Sequence, residues 1–381
     1  MKNNRREFIK KSATLTAAVS VAGLGAYTVS GQKVAGNATQ KDVKWPVIEG
    51  PNTPKICLDC GLNATDQQMQ EIKQMGVDYV NGGLSATRPW KVEDIRKNLD
   101  RYKANGLTVN DAGLGGVSRN LILGKEGRDQ DIASIKECIV AAGEAGVRVL
   151  EYNWYVHRID AGYYEKKGRG GSGITAYDYA PVKDLPVDHE IGKLTAEQIW
   201  DNLTYFLKAV VPVAEKANVR ICCHPNDPPA AIAYGNPQIL ASFAGWKRFL
   251  DIVKSPSSGI TYDPGVSKEM GEDPVEVMRY MGSRKQLIHS HYRNVITIEP
   301  YNKYEEVFYD TGQVNMFAVM KEYFNQGYTG GIFPEHQRFF TRDAEFPGYK
   351  PSGYPGGGSS KTGLVYNVAY TRAMMQAAMS V

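Results

Sequence analysis

The sequence predicts an α/β fold, a (β/α)8 or TIM barrel, on three observations. Short apolar runs alternate with helical patterns, eight such runs can be counted, and imidazole and carboxylate side chains stand at the carboxyl ends of several. Alternation of this kind argues for a parallel sheet. The runs read as strands are 56–58, 79–81, 107–111, 147–152, 219–224, 259–262, 287–291 and 331–333. Between them, helices are expected at 66–75, 91–104, 129–145, 195–217, 238–253, 274–282 and 314–326, with a last one at 363–378. Gly76, Gly106, Gly146 and Asn218 stand where helices stop just before strands. The fifth run ends on His224, and Pro225, Pro228 and Pro229 follow. Proline cannot continue a sheet ladder, so the strand must end there with the imidazole at its tip.

A doubly wound open sheet is the alternative. It lacks its signature, because no G-x-G-x-x-G follows the first strand; Gly113-Leu114-Gly115-Gly116 follows the third, and Ser118 occupies the place of the last glycine. Two long loops, 154–194 and 340–362, are expected to carry binding or lid functions.

With 381 residues, 42% of them hydrophobic and 23% charged, and a net charge of +4, the composition is that of a globular enzyme-sized protein, and one barrel accommodates this much chain. No basic stripe with interleaved aromatics occurs, so no nucleic-acid partner is expected. The stretch Asn4-Arg5-Arg6-Glu7-Phe8-Ile9-Lys10, followed by a weakly apolar segment, reads as a twin-arginine export signal spanning 1–36 and cleaved between Ser30 and Asn37. Its Gly, Ser and Thr interruptions argue against a membrane span, and none is expected after processing. The expected partners are therefore the Tat export machinery and a small-molecule substrate, with a homo-oligomer as a further expectation, and the expected location is periplasmic or otherwise outside the cytoplasm by Tat export. A linker is assigned to 37–54 and the barrel to 55–381. Twin-arginine export carries folded proteins, which suits one that takes up a metal before leaving the cytoplasm. Cys57, Cys60, Cys138, Cys222 and Cys223 are odd in number and read mostly as small buried residues.

In a barrel of this class the active site lies at the carboxyl ends of the strands. Four consecutive units end there on His224, Asp263, His291 and Glu335, which makes them the candidate metal ligands. A hard, mixed N/O set suits Mn2+ first, with Mg2+, Fe2+ and Zn2+ as alternatives. His289 shares the face of His291 at another depth. Candidate proton-moving groups are His336, Tyr349 or Tyr354, and Tyr262; Arg293, Arg338 and Lys350 are cations able to lower a tyrosine's pKa. Asn153, Arg293, Asn294 and Arg338 are the candidate substrate contacts.

Several ordered motifs carry a family likeness. His224-Pro225-Asn226-Asp227-Pro228-Pro229 resembles the H-P-D-D-P-P motif of mannonate dehydratases, and His291-Tyr292-Arg293-Asn294-Val295 resembles their H-x-R-N-V. The segment Val314-Asn315-Met316 resembles the start of their V-D-M-x-x-V-M, and Phe333-Pro334-Glu335-His336 their R-P-D-H. The resemblance implies a metal-dependent barrel that removes water from an aldonic acid to give a 2-keto-3-deoxy acid. It further implies that His224, His291 and Glu335 bind the metal, and that His336 and Tyr349 act as acid and base. The family's cysteine ligand falls at Asp263, its aspartate ligand at Glu335, and two other aspartates at Asn226 and Asn315. The exchanges harden the metal site and shift one carboxylate by a methylene. A sugar isomerase or epimerase of the xylose isomerase-like superfamily and a non-catalytic exported carbohydrate-binding barrel are the competing expectations.

Overall fold

A computed structural model of the protein describes residues 47–114, 117–159, 161–346 and 360–381. Eight parallel strands close into a barrel: β1 (Lys55–Cys60), β2 (Tyr79–Gly82), β3 (Thr108–Gly113), β4 (Val149–Asn153), β5 (Arg220–His224), β6 (Ser258–Tyr262), β7 (Leu287–His291) and β8 (Gly331–Phe333). Each pairs with its neighbours in sequence, and β8 pairs with β1. All eight expected strands are present, with ends shifted by at most two residues.

The helices form where apolar spacing and caps agree. Ala196–Lys216 buries Ile199, Leu203, Phe206, Val210 and Ala214, a three- and four-residue spacing that keeps one face on the barrel. Its start is fixed by a capping box: Thr195 Oγ1 accepts from Gln198 N at 3.2 Å, while Thr195 N donates to Gln198 Oε1 at 2.8 Å. Thr65 and Gln68 repeat the device at Asp66–Gln74. The five cysteines are all buried free thiols.

One part of the architecture differs from expectation. Part of the loop expected at 154–194 forms two strands, Tyr163–Lys167 and Gly173–Asp178, which join Lys303–Val307 and Asn294–Glu299 in a four-stranded antiparallel sheet. These strands are polar, as in Tyr163-Tyr164-Glu165-Lys166-Lys167, and Lys303 pairs with Asp178 across more than a hundred residues of sequence. Local periodicity does not report such a pairing. The sheet lies on the loops that follow β4 and β7, and so brings its side chains to the barrel mouth. The segment 1–46, and with it the expected signal and most of the linker, lies outside the described residues.

Candidate metal centre

The mouth of the barrel holds a cavity of about 670 Å³, within the usual size for a small-molecule site. His224, at the end of β5, has Nδ1 2.8 Å from the Pro225 carbonyl oxygen. A carbonyl only accepts, so Nδ1 carries the proton and Nε2 is left with its lone pair facing the cavity. That nitrogen is 3.3 Å from His291 Nδ1, which in turn is 2.7 Å from Glu335 Oε1. Two ligands bound at right angles about 2.1 Å from one ion lie about 3 Å apart, so these separations fit neighbouring ligands as well as hydrogen bonds, and His224, Asp263 and His291 offer donor atoms within 4.8 Å of one another. Glu335 Oε1 is buried and has no aligned hydrogen-bond partner, although it lies beside the His291 ring. An orphaned acceptor of this kind fits a bound cation.

The electrostatics agree. Burial disfavours charge on His291, yet Glu335 and Glu151 outweigh it and push the ring up to about 10. The surrounding carboxylates thus demand a positive charge, which a divalent ion supplies as well as a proton. Burial likewise opposes ionisation of Glu335, but His291 and His336 hold its carboxyl well below the usual range. Asp263, at the end of β6, brings a carboxylate oxygen within 4.8 Å of the ligand atoms of His224 and His291. It is fully buried; Oδ1 caps the helix Pro264–Glu269 by accepting from Val266 N at 2.9 Å, and Oδ2 accepts from Arg293 Nε at 2.8 Å.

Glu151, on β4, also faces the centre, with Oε1 3.6 Å from His291 Nε2 and accepting from Thr261 Oγ1 at 2.5 Å. From the end of this strand the sequence singled out only Asn153, as a substrate contact, although the criterion that found Asp263 applies equally to Glu151. His289 sits a layer deeper, fully buried, and desolvation pushes it down to about 4, so the ring is neutral.

His336 lines the cavity one residue beyond Glu335. Its Nδ1 is 2.6 Å from Glu306 Oε2, and its Nε2 is 3.5 Å from Glu335 Oε2. Burial opposes charge on the ring, but Glu306 and Glu335 raise its pKa. The backbone of His336 has φ +52°, a left-handed conformation that costs a non-glycine residue about 1–3 kcal/mol and clusters at functional sites. Glu306 comes from the antiparallel sheet, and nothing in the sequence ties that strand to the mouth.

Three expected substrate contacts are corrected. Arg293 is buried, with Nε on Asp263, Nη1 on Glu269 at 2.6 Å and Nη2 on Asp227 at 2.9 Å. Gly265 makes room for it, since a Cβ there would lie 2.8–2.9 Å from the Arg293 side chain. Asn294 spends its amide on the carbonyls of Tyr309 and Val314 and its carbonyl on Val295 N and Val314 N. Arg338 is buried and donates to the His336 carbonyl and to Glu306. All three build the wall rather than face the cavity. Asn153 does line it. Tyr262 is also removed from the proton-moving candidates, because its buried hydroxyl donates to the Pro274 carbonyl at 2.7 Å. Tyr349 and Tyr354 lie outside the described residues.

A family model for D-mannonate dehydratase (UxuA) matches residues 61–196 and 188–376. The chain belongs to the D-mannonate dehydratase family. A mannonate dehydratase of Thermotoga petrophila is 29% identical over 323 residues, covering 74% of this chain and 88% of that protein. Mannonate dehydratase 2 of Halalkalibacterium halodurans is 29% identical over 286 residues, covering 68% and 81%. Among solved structures, mannonate dehydratase from Streptococcus suis serotype 2 superposes with a TM-score of 0.74 at 24% identity, over 86% of this chain and 95% of that one. A xylose isomerase-like TIM barrel protein from Mycobacterium smegmatis, solved with magnesium, gives 0.55 at 13% identity over 86% and 98%. Both structural likenesses concern the fold. The family is metal-dependent, and the described residues supply the grouped donors such chemistry needs.

Proposed function

We propose that this protein is an exported, Mn2+-dependent dehydratase of a sugar acid, taking water from an aldonic acid to give a 2-keto-3-deoxy acid. The observation that carries the reading is the convergence of His224, His291 and the orphaned Glu335 Oε1 at a cavity also lined by a carboxylate-held histidine, in a chain of this family. The ion would be held by His224, His291 and Glu335, with Asp263 behind them and Glu151 as a further donor from β4. When bound, it supplies Lewis acidity that polarises the substrate's oxygens and lowers the cost of charge beside the carboxylate.

The chain's own residues supply orientation and proton movement. His224 is locked in one tautomer by the Pro225 carbonyl, so it presents a lone pair without rotating. His336 holds a proton at Nε2 while Glu306 fixes Nδ1, and it is the acid that meets the departing hydroxyl. Tyr349 is proposed as the partner that takes the proton beside the substrate carboxylate. The hydroxyl leaves as water, the electron pair of the broken C–H bond forms the enol double bond, and tautomerisation gives the keto acid.

Incubation of metal-loaded protein with a panel of aldonic acids is expected to release 2-keto-3-deoxy acids. Turnover of a neutral sugar with no product from any acid overturns the reading. Exchange of the C2 hydrogen with solvent without loss of water would assign an epimerase or isomerase instead. Export is tested separately by fusing residues 1–36 to a reporter and following its dependence on the twin-arginine translocase; among the described residues no helix is long and apolar enough to cross a membrane.

A further inference from the structure

The candidate ligands occupy β4 to β8, which leaves β1 to β3 as the facing half of the mouth. Asp59, on β1, and Asn81, on β2, are register partners on neighbouring parallel strands and both line the cavity. Asn81 Nδ2 donates to Asp59 Oδ1 at 3.1 Å. That bond fixes the amide's orientation and leaves Asp59 Oδ2 with no protein partner among the described residues, while Asn81 Oδ1 also has none. Asp59 therefore keeps an oxygen able to accept from a ligand in the cavity, and as a carboxylate it donates nothing. In the closed barrel β1 stands four strands from β5, opposite His224. Arg158, the only lysine or arginine lining the cavity among the described residues, stands 6.0 Å from the Tyr155 ring, whose hydroxyl donates to the Pro225 carbonyl beside His224, and so belongs to that far side.

We propose that Asp59, positioned by Asn81, is the specificity-determining subsite for the hydroxylated tail of the substrate, which lies with its carboxylate turned away from β1 and toward the side of Arg158. This deepens and rests on the sugar-acid reading. The chemistry is one of donors meeting acceptors: an ionised carboxylate accepts from two hydroxyls, and vicinal hydroxyls of an extended sugar chain are spaced to donate to it. The same negative charge repels a second carboxylate, so a sugar acid entering the mouth has one favoured direction. No metal-binding role is needed for Asp59, and its substitution leaves the metal donors intact.

The test compares a six-carbon aldonic acid with a four-carbon one that keeps the C2 and C3 hydroxyls but lacks most of the tail, using full-length, metal-loaded protein. Asp59→Ala is expected to lower kcat/KM for the six-carbon acid by about 10–100-fold, mostly through KM, and to leave the four-carbon acid nearly unchanged. Metal content by elemental analysis is expected to equal that of the wild type. Asp59→Asn, which keeps the shape and one acceptor, is expected to fall between the two and serves if the alanine variant does not fold. Equal loss on both acids with KM unchanged would make Asp59 a proton-moving group, and full activity on both would remove it from recognition; either result overturns the proposal. If the wild type turns over no acid, the dehydratase reading fails on its own. Calorimetric binding of the two acids to wild type and variant then still decides the subsite, with equal loss or no loss counting against it.

Discussion

His224 and Asp263 represent two ways of placing a donor at a barrel mouth. His224 is aimed by a backbone carbonyl, whereas Asp263 is shared between a helix N-terminus, an arginine and the centre. His224→Ala and Asp263→Ala are both expected to lose the bound metal by elemental analysis, and full stoichiometry in both would refute the ligand set. Arg293 is held by Asp227, Asp263 and Glu269, all buried. Its removal leaves carboxylates without a counter-charge, so Arg293→Ala is expected to destabilise the fold by about 3–5 kcal/mol in chemical denaturation. Glu306 acts through His336 and is a positioning residue. Glu306→Gln is expected to lower kcat by about 10–100-fold with KM little changed and the folded state retained; a loss appearing wholly in KM would contradict that role.

Among the elements, the helices are secured locally and the strands only in company. The capping box at Thr195 satisfies donors that the first helical turn cannot satisfy itself. Thr195→Ala is expected to cost about 0.5–2 kcal/mol in denaturation without altering metal content or kcat, because the helix Ala196–Lys216 packs outside the barrel wall and carries none of the candidate metal donors. The antiparallel sheet behaves differently. Its strand Lys303–Val307 gives Glu306 to His336, and Tyr163 and Tyr304 from the same sheet both donate to Asp227 Oδ1 at 3.1 Å. An insertion that reads as loop thus supplies the supports of the site.

At the scale of the whole molecule, metal binding and folding are expected to be coupled, because the donors from β4 to β8 are brought together only by the closed barrel. Removing metal with a chelator is expected to lower the unfolding free energy, and re-adding the divalent ion at about 100 times its Kd to restore about 2.7 kcal/mol relative to the metal-free protein. An unchanged thermal midpoint on stripping and reloading would contradict a resident ion in this cavity. The sequence by itself determined the eight strands, most of the helices and the positions of His224, Asp263, His291 and Glu335 at the carboxyl ends of four strands. It did so because proline stops, helix caps and apolar periodicity are local signals, and a parallel barrel repeats one local unit. Only the tertiary structure decided that Arg293, Asn294 and Arg338 are spent inside the wall, that Glu151 faces His291, and that Glu306 reaches His336. Those facts depend on pairings between residues remote in sequence and on which polar groups are left without partners once the barrel has closed.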